Sequence, residues 1–331
     1  MIVLAGDIGG TKTDLGLFSS AGPADSLVLT ARQRFVSRDY PDLESLCARF
    51  LRGSAAPPGA AAFGIAGPVV NGRCEATNLP WVIERSSLER LLRCPVTMMN
   101  DLESMAHGVA QLKPDEFLTL NPGVPSAGAA CAIIAAGTGL GEGYMVWDAA
   151  GGRHVPSASE GGHTDFAARN SDEIDLLRRL QTRFTRVSVE RVVSGAGIRE
   201  IFDHLEATGR YEVPASVRSA LDTEDPAAVI SREAIDKGAA ICVETMRWFV
   251  AAYGAEAGNL ALKVMARGGV YVGGGIAPKI LPLMTDGVFM SGFLDKGRFA
   301  PLMTTIPVRI LLNETASLLG AAAVAARCLP N

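Results

Sequence analysis

A strand, a glycine turn and a second strand occur twice in this chain, far apart in sequence. The first copy is "GDIGGTKTDLGLF", residues 6–18; the second lies in "ACAIIAAGTGLGEGYMVW", residues 130–147. Placing Gly137-Thr138 under Gly10-Thr11 brings the flanking strands into step, the mark of an internal duplication. A repeated unit of this kind has to build its core twice. The chain therefore reads as two related α/β domains, each with a glycine turn facing the other. At 331 residues it is also too long for one small core.

The rest of the pattern fits that frame. Residues 2–6, 13–18 and 26–35 read as strands and 41–51 as a helix. "AAAFGIAG" reads as a fourth strand, and Asn71-Gly72 in "VVNGRCEA" as a tight hairpin. Ser86 and Glu89 stand at capping-box spacing, which predicts a short helix opening there. "PVTMM", 95–99, reads as a buried strand ending at Asn100-Asp101, with a helix through "LESMAHGVAQL". Residues 172–267 are mostly helical in period, 268–276 are a strand running into a third glycine turn, and "PVRILL" is a late strand. The chain closes on an Ala- and Leu-rich helix whose Gly320 marks close packing, because glycine inside a helix costs roughly 1 kcal/mol against alanine.

Composition narrows the function classes. A net charge of −4 and a pI near 5.7 disfavour a nucleic-acid ligand. No apolar run approaches a membrane span, and the start carries no basic region of a signal peptide. The six cysteines (Cys47, Cys74, Cys94, Cys131, Cys242 and Cys328) form no C-x-x-C pair; they read as reduced thiols acting as small buried hydrophobes, as in a cytoplasmic protein.

The turns suggest phosphate chemistry. Asp7 ends a strand; Gly9 and Gly10 permit positive φ and close backbone approach; Thr11, Lys12 and Thr13 add hydroxyls and charge. An acid beside an anion site repels the anion unless Mg²⁺ lies between them, so Asp7 points to a metal reached through water. The bland alternative is a plain type I′ hairpin with a surface lysine. Gly137, Thr138 and Gly139 repeat the offer, and "VGGGIAP" at 272–278, with Gly274 and Gly275, adds a third glycine segment. Together they describe ATP, its phosphates on two turns and its adenosine on a glycine shelf, without the Rossmann or protein-kinase glycine signatures.

Asp101, just past a buried strand, could accept a hydroxyl proton during attack on a γ-phosphoryl group; its alternative is a helix N-cap. Glu160 and His163 in "SASEGGHTDF" suit alternating sugar hydroxyls, against the alternative of a loop histidine capping a carbonyl. No zinc set is at hand, since the next cysteine after His163 is Cys242. Glu190 reads locally as an acid complementing a helix N-terminus.

Eight segments taken in order, from "GDIGGTKTDLGLF" through "GIAGPVVNGRCEATNLPW", "MMNDLESMAHGV", "AAGTGLGEGYMV", "SEGGHTDF", "ERVVSGAGI" and "GGVYVGGGIAPKI" to "LDKGRFAPLMTTIPV", resemble the bacterial glucokinase family of the hexokinase, acetate kinase and actin superfamily. The resemblance implies two ribonuclease-H-like (actin-like ATPase) domains around a central cleft: residues 1–101 plus 314–331 as the small domain, 102–313 as the large one with helical insertions. It implies ATP- and Mg²⁺-dependent phosphorylation of D-glucose at the 6-hydroxyl, with closure driven by the sugar. It implies Asp101 as general base; Asn78, Asn100, Asp101, Glu160, His163 and Glu190 as sugar ligands; the turns Gly9–Lys12 and Gly137–Gly139 as phosphate loops; and Gly274-Gly275 as the adenosine shelf. No direct protein cage for Mg²⁺ is expected, and the partners are the sugar, ATP and a second copy of the chain in a homodimer, with no nucleic acid or membrane. The zinc motif of the related repressor and kinase group is absent, and "NETASLLG" departs from the family's usual turn, leaving the local hinge geometry open. Alternatives are a kinase for another hexose and a catalytically silent sugar sensor.

Overall fold

The computed structural model describes residues 1–20, 27–54, 56–76 and 79–329. The chain runs β1 (Ile2–Ile8), β2 (Lys12–Ser20), β3 (Leu27–Val36), α1 (Leu43–Phe50), β4 (Ala60–Ile65), β5 (Val69–Val70), β6 (Arg73–Glu75), β7 (Val82–Glu84), α2 (Arg85–Leu92), β8 (Val96–Asn100) and α3 (Asp101–Val109). It continues with β9 (Phe117–Asn121), β10 (Cys131–Ala136), β11 (Leu140–Asp148), β12 (Arg153–Ser159), α4 (Ser171–Gln181), α5 (Gly195–Ala207), α6 (Ala215–Leu221), α7 (Pro226–Arg232) and α8 (Ala240–Val264). The last elements are β13 (Gly269–Gly273), α9 (Leu281–Met284), α10 (Val288–Leu294), α11 (Ala300–Met303), β14 (Val308–Leu311) and α12 (Ala316–Arg327). Two compact units result, residues 1–116 with 313–331 and residues 117–312.

In the first unit the sheet order is β3-β2-β1-β4-β8, with β1, β2 and β3 antiparallel and β1, β4 and β8 parallel. Alternation along the strands sorts side chains to two faces. Leu4, Ala61, Phe63 and Ile65 meet α1, α2 and Trp81 on one side, while Val3, Ala5, Ala60 and Ala62 meet Leu318, Ala321, Ala322 and Ala325 of α12 on the other. Helix α3 belongs to this unit too, which runs on to residue 116, because it lies directly on α12. The Asn71-Gly72 hairpin joins β5 to β6, with φ of 52° and 75°. At the 313 connection the Asn313 side chain accepts from the Thr315 N–H at 2.7 Å and donates to Glu116 Oε1.

In the second unit the order is β12-β11-β10-β13-β14-β9. The first five strands repeat the first unit: three antiparallel, then two parallel to the middle one. The duplication in the glycine turns is therefore a duplication of the sheet. Strand β9 adds an antiparallel edge. Helix α8 lies on β10, burying Met246, Phe249, Val250, Tyr253 and Leu260. The buried Tyr253 hydroxyl accepts from the Ala136 N–H at 3.1 Å, directly before the Gly137 turn, which ties that turn to the core. Among the described residues no helix is long and apolar enough to cross a membrane.

Two local expectations are corrected. Helix α2 starts at Arg85, because β7 runs straight into it; Ser86 lies inside the helix and Glu84, at the N-cap, makes no side-chain cap. Five cysteines are buried as expected, but Cys328 is exposed at the end of α12.

Candidate active site

Five expected residues of the first unit lie where β1 turns into β2. Asp7 pairs across the ladder with Asp14, and Thr13 with Ile8. The turn is closed by Gly9 N–H to the Lys12 carbonyl at 3.0 Å and braced by Ser37, whose Oγ donates to the Gly9 carbonyl at 2.9 Å and whose N–H donates to the Thr11 carbonyl at 3.0 Å. Neither Gly9 nor Gly10 is among the positive-φ residues, so a type I′ hairpin, which needs positive φ at both central positions, is excluded. A side chain at Gly9 would press on the Lys12 carbonyl at 3.0 Å. Thr11 and Lys12 are exposed.

Asp7 is half-buried and accepts from Ser317 Oγ of α12 at 2.9 Å. Burial pushes its carboxyl up to about 6; the Ser317 bond opposes this and the Asp14 charge adds to it. The native pKa lies above the unfolded one, so this group's stabilisation is present below about 4 and is lost as the pH rises through about 6. Asp7→Asn keeps the Ser317 contact without the charge. We expect its melting temperature to overtake that of the wild type between about pH 4 and about pH 6, by up to about 3 kcal/mol of stability at neutral pH. Melts that stay parallel across that range would refute the burial account.

Asn100 and Asp101 sit at the carboxyl end of β8 and the start of α3. The cap is Asn100, not Asp101: Asn100 Oδ1 accepts from the Leu102 N–H at 2.8 Å. Asp101 is the first helical residue, half-buried, with Oδ1 sharing the same N–H at 2.9 Å. Asn78 lies outside the described residues.

In the second unit the Gly137–Gly139 turn stands at the N-terminus of α5. Gly195, the first residue of that helix, donates its N–H to the Gly137 carbonyl at 2.9 Å, and Ser194 caps the helix. Helix N-termini favour phosphate, and this pairing went unread in the sequence, where only the small residues of "VVSGAGI" hinted at it. Gly137 has ordinary φ and open space around its missing Cβ, and so does Gly275. A side chain at either position would meet open space, so the backbone there is open to close approach from outside. Gly139 and Gly274 differ: a Cβ would strike Glu190 Oε2 at the first and the Ala136 carbonyl at the second, where φ is also 82°. Thr138 is exposed.

Glu160, His163 and Glu190 come together. His163 Nε2 is 3.8 Å from Glu160 Oε2, and Nδ1 is 3.9 Å from Glu190 Oε1. Both gaps are too long for direct hydrogen bonds and suit a bridging hydroxyl or water. Glu190 is an acid in the first turn of a short 3₁₀ helix, ahead of α5 rather than in it. It sits in the 3₁₀ turn Val189–Arg191, and its Oε2 accepts from the Leu140 N–H at 2.9 Å, next to the glycine turn. No cluster of three or more His, Cys, Asp or Glu side chains placed to hold a metal occurs among the described residues. Asp7 is nonetheless a hard oxygen donor, and Mg²⁺ is commonly held by one or two carboxylates, phosphates and water.

Paired three-strand meanders with parallel extensions, each carrying a glycine turn, define an α/β protein of the ribonuclease-H-like, actin-like ATPase fold. The sequence profile described as Glucokinase matches residues 4–328. A glucokinase of Nostoc sp. is 42% identical over 98% of this chain and 99% of its own length. The chain belongs to the glucokinase family. A crystal structure of glucokinase from an Antarctic psychrotroph superposes with a TM-score of 0.83 at 27% identity, covering 98% of this chain and 99% of that one. A ROK family glucokinase from Streptomyces griseus, solved with glucose and AMPPNP, shares the fold with a TM-score of 0.68 at 22% identity, covering 99% and 100%.

Proposed function

We propose that this chain transfers the γ-phosphoryl group of ATP to the 6-hydroxyl of D-glucose, with Asp101 as general base. The observation that carries the reading is the placement of Glu190. One oxygen holds the strand that leaves the Gly137–Gly139 turn, and the other faces His163. One side chain thus couples a phosphate-type turn to a cluster of groups suited to sugar hydroxyls. Membership of the glucokinase family and the glucose and AMPPNP of the Streptomyces structure support the substrates.

The chemistry balances on this chain's residues. Asp101 takes the proton of the 6-hydroxyl as that oxygen bonds to the γ-phosphorus; the bond to the β,γ-bridging oxygen breaks, and ADP leaves. Glu160, His163 and Glu190 orient the sugar, with Asn78 and Asn100 as further ligands. Backbone N–H groups of the turns at 9–12 and 137–139, with Lys12, Thr11 and Thr138, bind phosphates, and Gly274-Gly275 underlie the adenosine. Mg²⁺, when bound with ATP, neutralises phosphate charge, and Asp7 would face it through water. Family resemblance also supports the wider hexokinase, acetate kinase and actin kinship, a homodimer and residence in the cytoplasm.

A coupled ADP-release assay over glucose, mannose, fructose and glucosamine tests the reading. Turnover with the highest kcat/KM for glucose is expected. A higher value for another hexose would reassign the substrate, and silence with all of them would leave a sugar sensor.

A further inference from the structure

Glu142 takes no part in the chemistry above, yet it is the most anomalous acid among the described residues. It lies on β11 between Ile134 of β10 and Ser159 of β12, and only 1% of its surface is exposed. Neither of its carboxyl oxygens has a hydrogen-bond partner. An ionised carboxylate so placed would face a desolvation cost with nothing to offset it.

Two neighbours explain its state. On one side is Glu256 of α8, which interacts with Glu142 and is itself buried, its oxygens taking Asn259 Nδ2 at 2.8 Å and Lys263 Nζ at 3.3 Å. Two facing carboxylates can donate nothing to each other, whereas an acid and a carboxylate can share one proton. On the other side is Gly161, where a Cβ would overlap Glu142 Oε2; at the next residue, Gly162, a Cβ would overlap the Leu140 carbonyl. The turn running from Glu160 to His163 therefore lies directly on Glu142 and β11. Its two glycines are there because β11 leaves no room for side chains.

We propose that Glu142 is a positioning residue: a neutral carboxylic acid that donates its proton to Glu256 and, packed beneath Gly161, holds the turn carrying Glu160 and His163. This rests on the reading that those two residues bind the sugar. Burial, and then the Glu256 charge, push the Glu142 carboxyl up to about 8, while Lys263 pulls it down. The other titratable groups around it are Tyr253 on α8 and Glu160 and His163 on the turn, with Lys296 acting on Glu256 from beyond α10. Ionisation would set two negative charges against each other beneath the turn.

The test compares wild type, Glu142→Gln and Glu142→Leu from about pH 5 to about pH 9.5. In the wild type the KM for glucose is expected to rise about tenfold per pH unit above about pH 8, with the KM for ATP unmoved. Glu142→Gln mimics the neutral acid and should remove the rise while matching the wild-type KM at neutral pH. Glu142→Leu cannot reach Glu256 with a proton and should raise the glucose KM at every pH. A glutamine variant that keeps the alkaline rise, binds glucose poorly at neutral pH or fails to fold would overturn the assignment.

Thermal melting gives a readout independent of sugar. The native pKa is raised, so wild-type stability falls between about pH 4.5 and about pH 8 and the advantage of Glu142→Gln should open over that window. No turnover with any hexose would refute the sugar reading and with it the positioning role, whereas a flat melting difference would refute the shared proton alone.

Discussion

Asp101→Ala is expected to lower kcat by ~10²–10⁴-fold or more while the protein stays folded. The split between activity and stability follows from what each neighbour does. Asn100 holds the N-cap of α3, so the interaction worth ~1 kcal/mol at that helix end survives the substitution. The losses include an acid in the first helical turn, worth ~0.3–1 kcal/mol through the helix dipole, and one acceptor sharing an N–H that Asn100 already satisfies. The carboxylate stands at the carboxyl end of a strand in a sheet of this kind, where ligand sites form. The measurement is kcat at saturating glucose and ATP, beside circular dichroism and a thermal melt. Near-normal turnover would reject Asp101 as base; a large fall in melting temperature would show that the side chain serves the helix instead.

Much of this was legible in the sequence because it depended on short-range chemistry. Asn71-Gly72 forms its hairpin since both residues tolerate left-handed φ. The glycine turns revealed the duplication because each sits between strands of matching pattern. What stayed hidden depended on tertiary neighbours. Strand β12 contains Pro156 and so lacks a strand's signature; the fold accepts it because β12 is an edge strand, paired with β11 alone. The apparent capping box at Ser86 and Glu89 failed because β7 leads directly into α2. The reach of Glu190 to Leu140 and the burial of Glu142 both depend on residues far away in the chain. Burial of a single acid leaves no periodicity to read.

Gly320→Ala is expected to destabilise the first unit by about 3 kcal/mol or more, against the sign that helix propensity alone gives. In an open helix this change would stabilise by roughly 1 kcal/mol. Here α12 crosses α3 with backbone on backbone: a Cβ at Gly320 would overlap the Ser104 carbonyl and stand 2.6 Å from the Gly108 nitrogen. The contact is reciprocal, because a Cβ at Gly108 would overlap the Ala316 carbonyl. No rotamer change can relieve a clash with main chain, so the helices have to separate. Separation would also stretch the bond from Ser104 Oγ to the Ser317 carbonyl, 2.8 Å, and draw Ser317 Oγ away from Asp7, 2.9 Å. The same substitution should therefore lower kcat in whatever fraction still folds, by moving the partner of the carboxylate assigned to face Mg²⁺. Urea unfolding decides it: the midpoint should fall well below that of the wild type, and a midpoint equal to or above it would mean that the crossing is looser than the close approach of α3 and α12 requires.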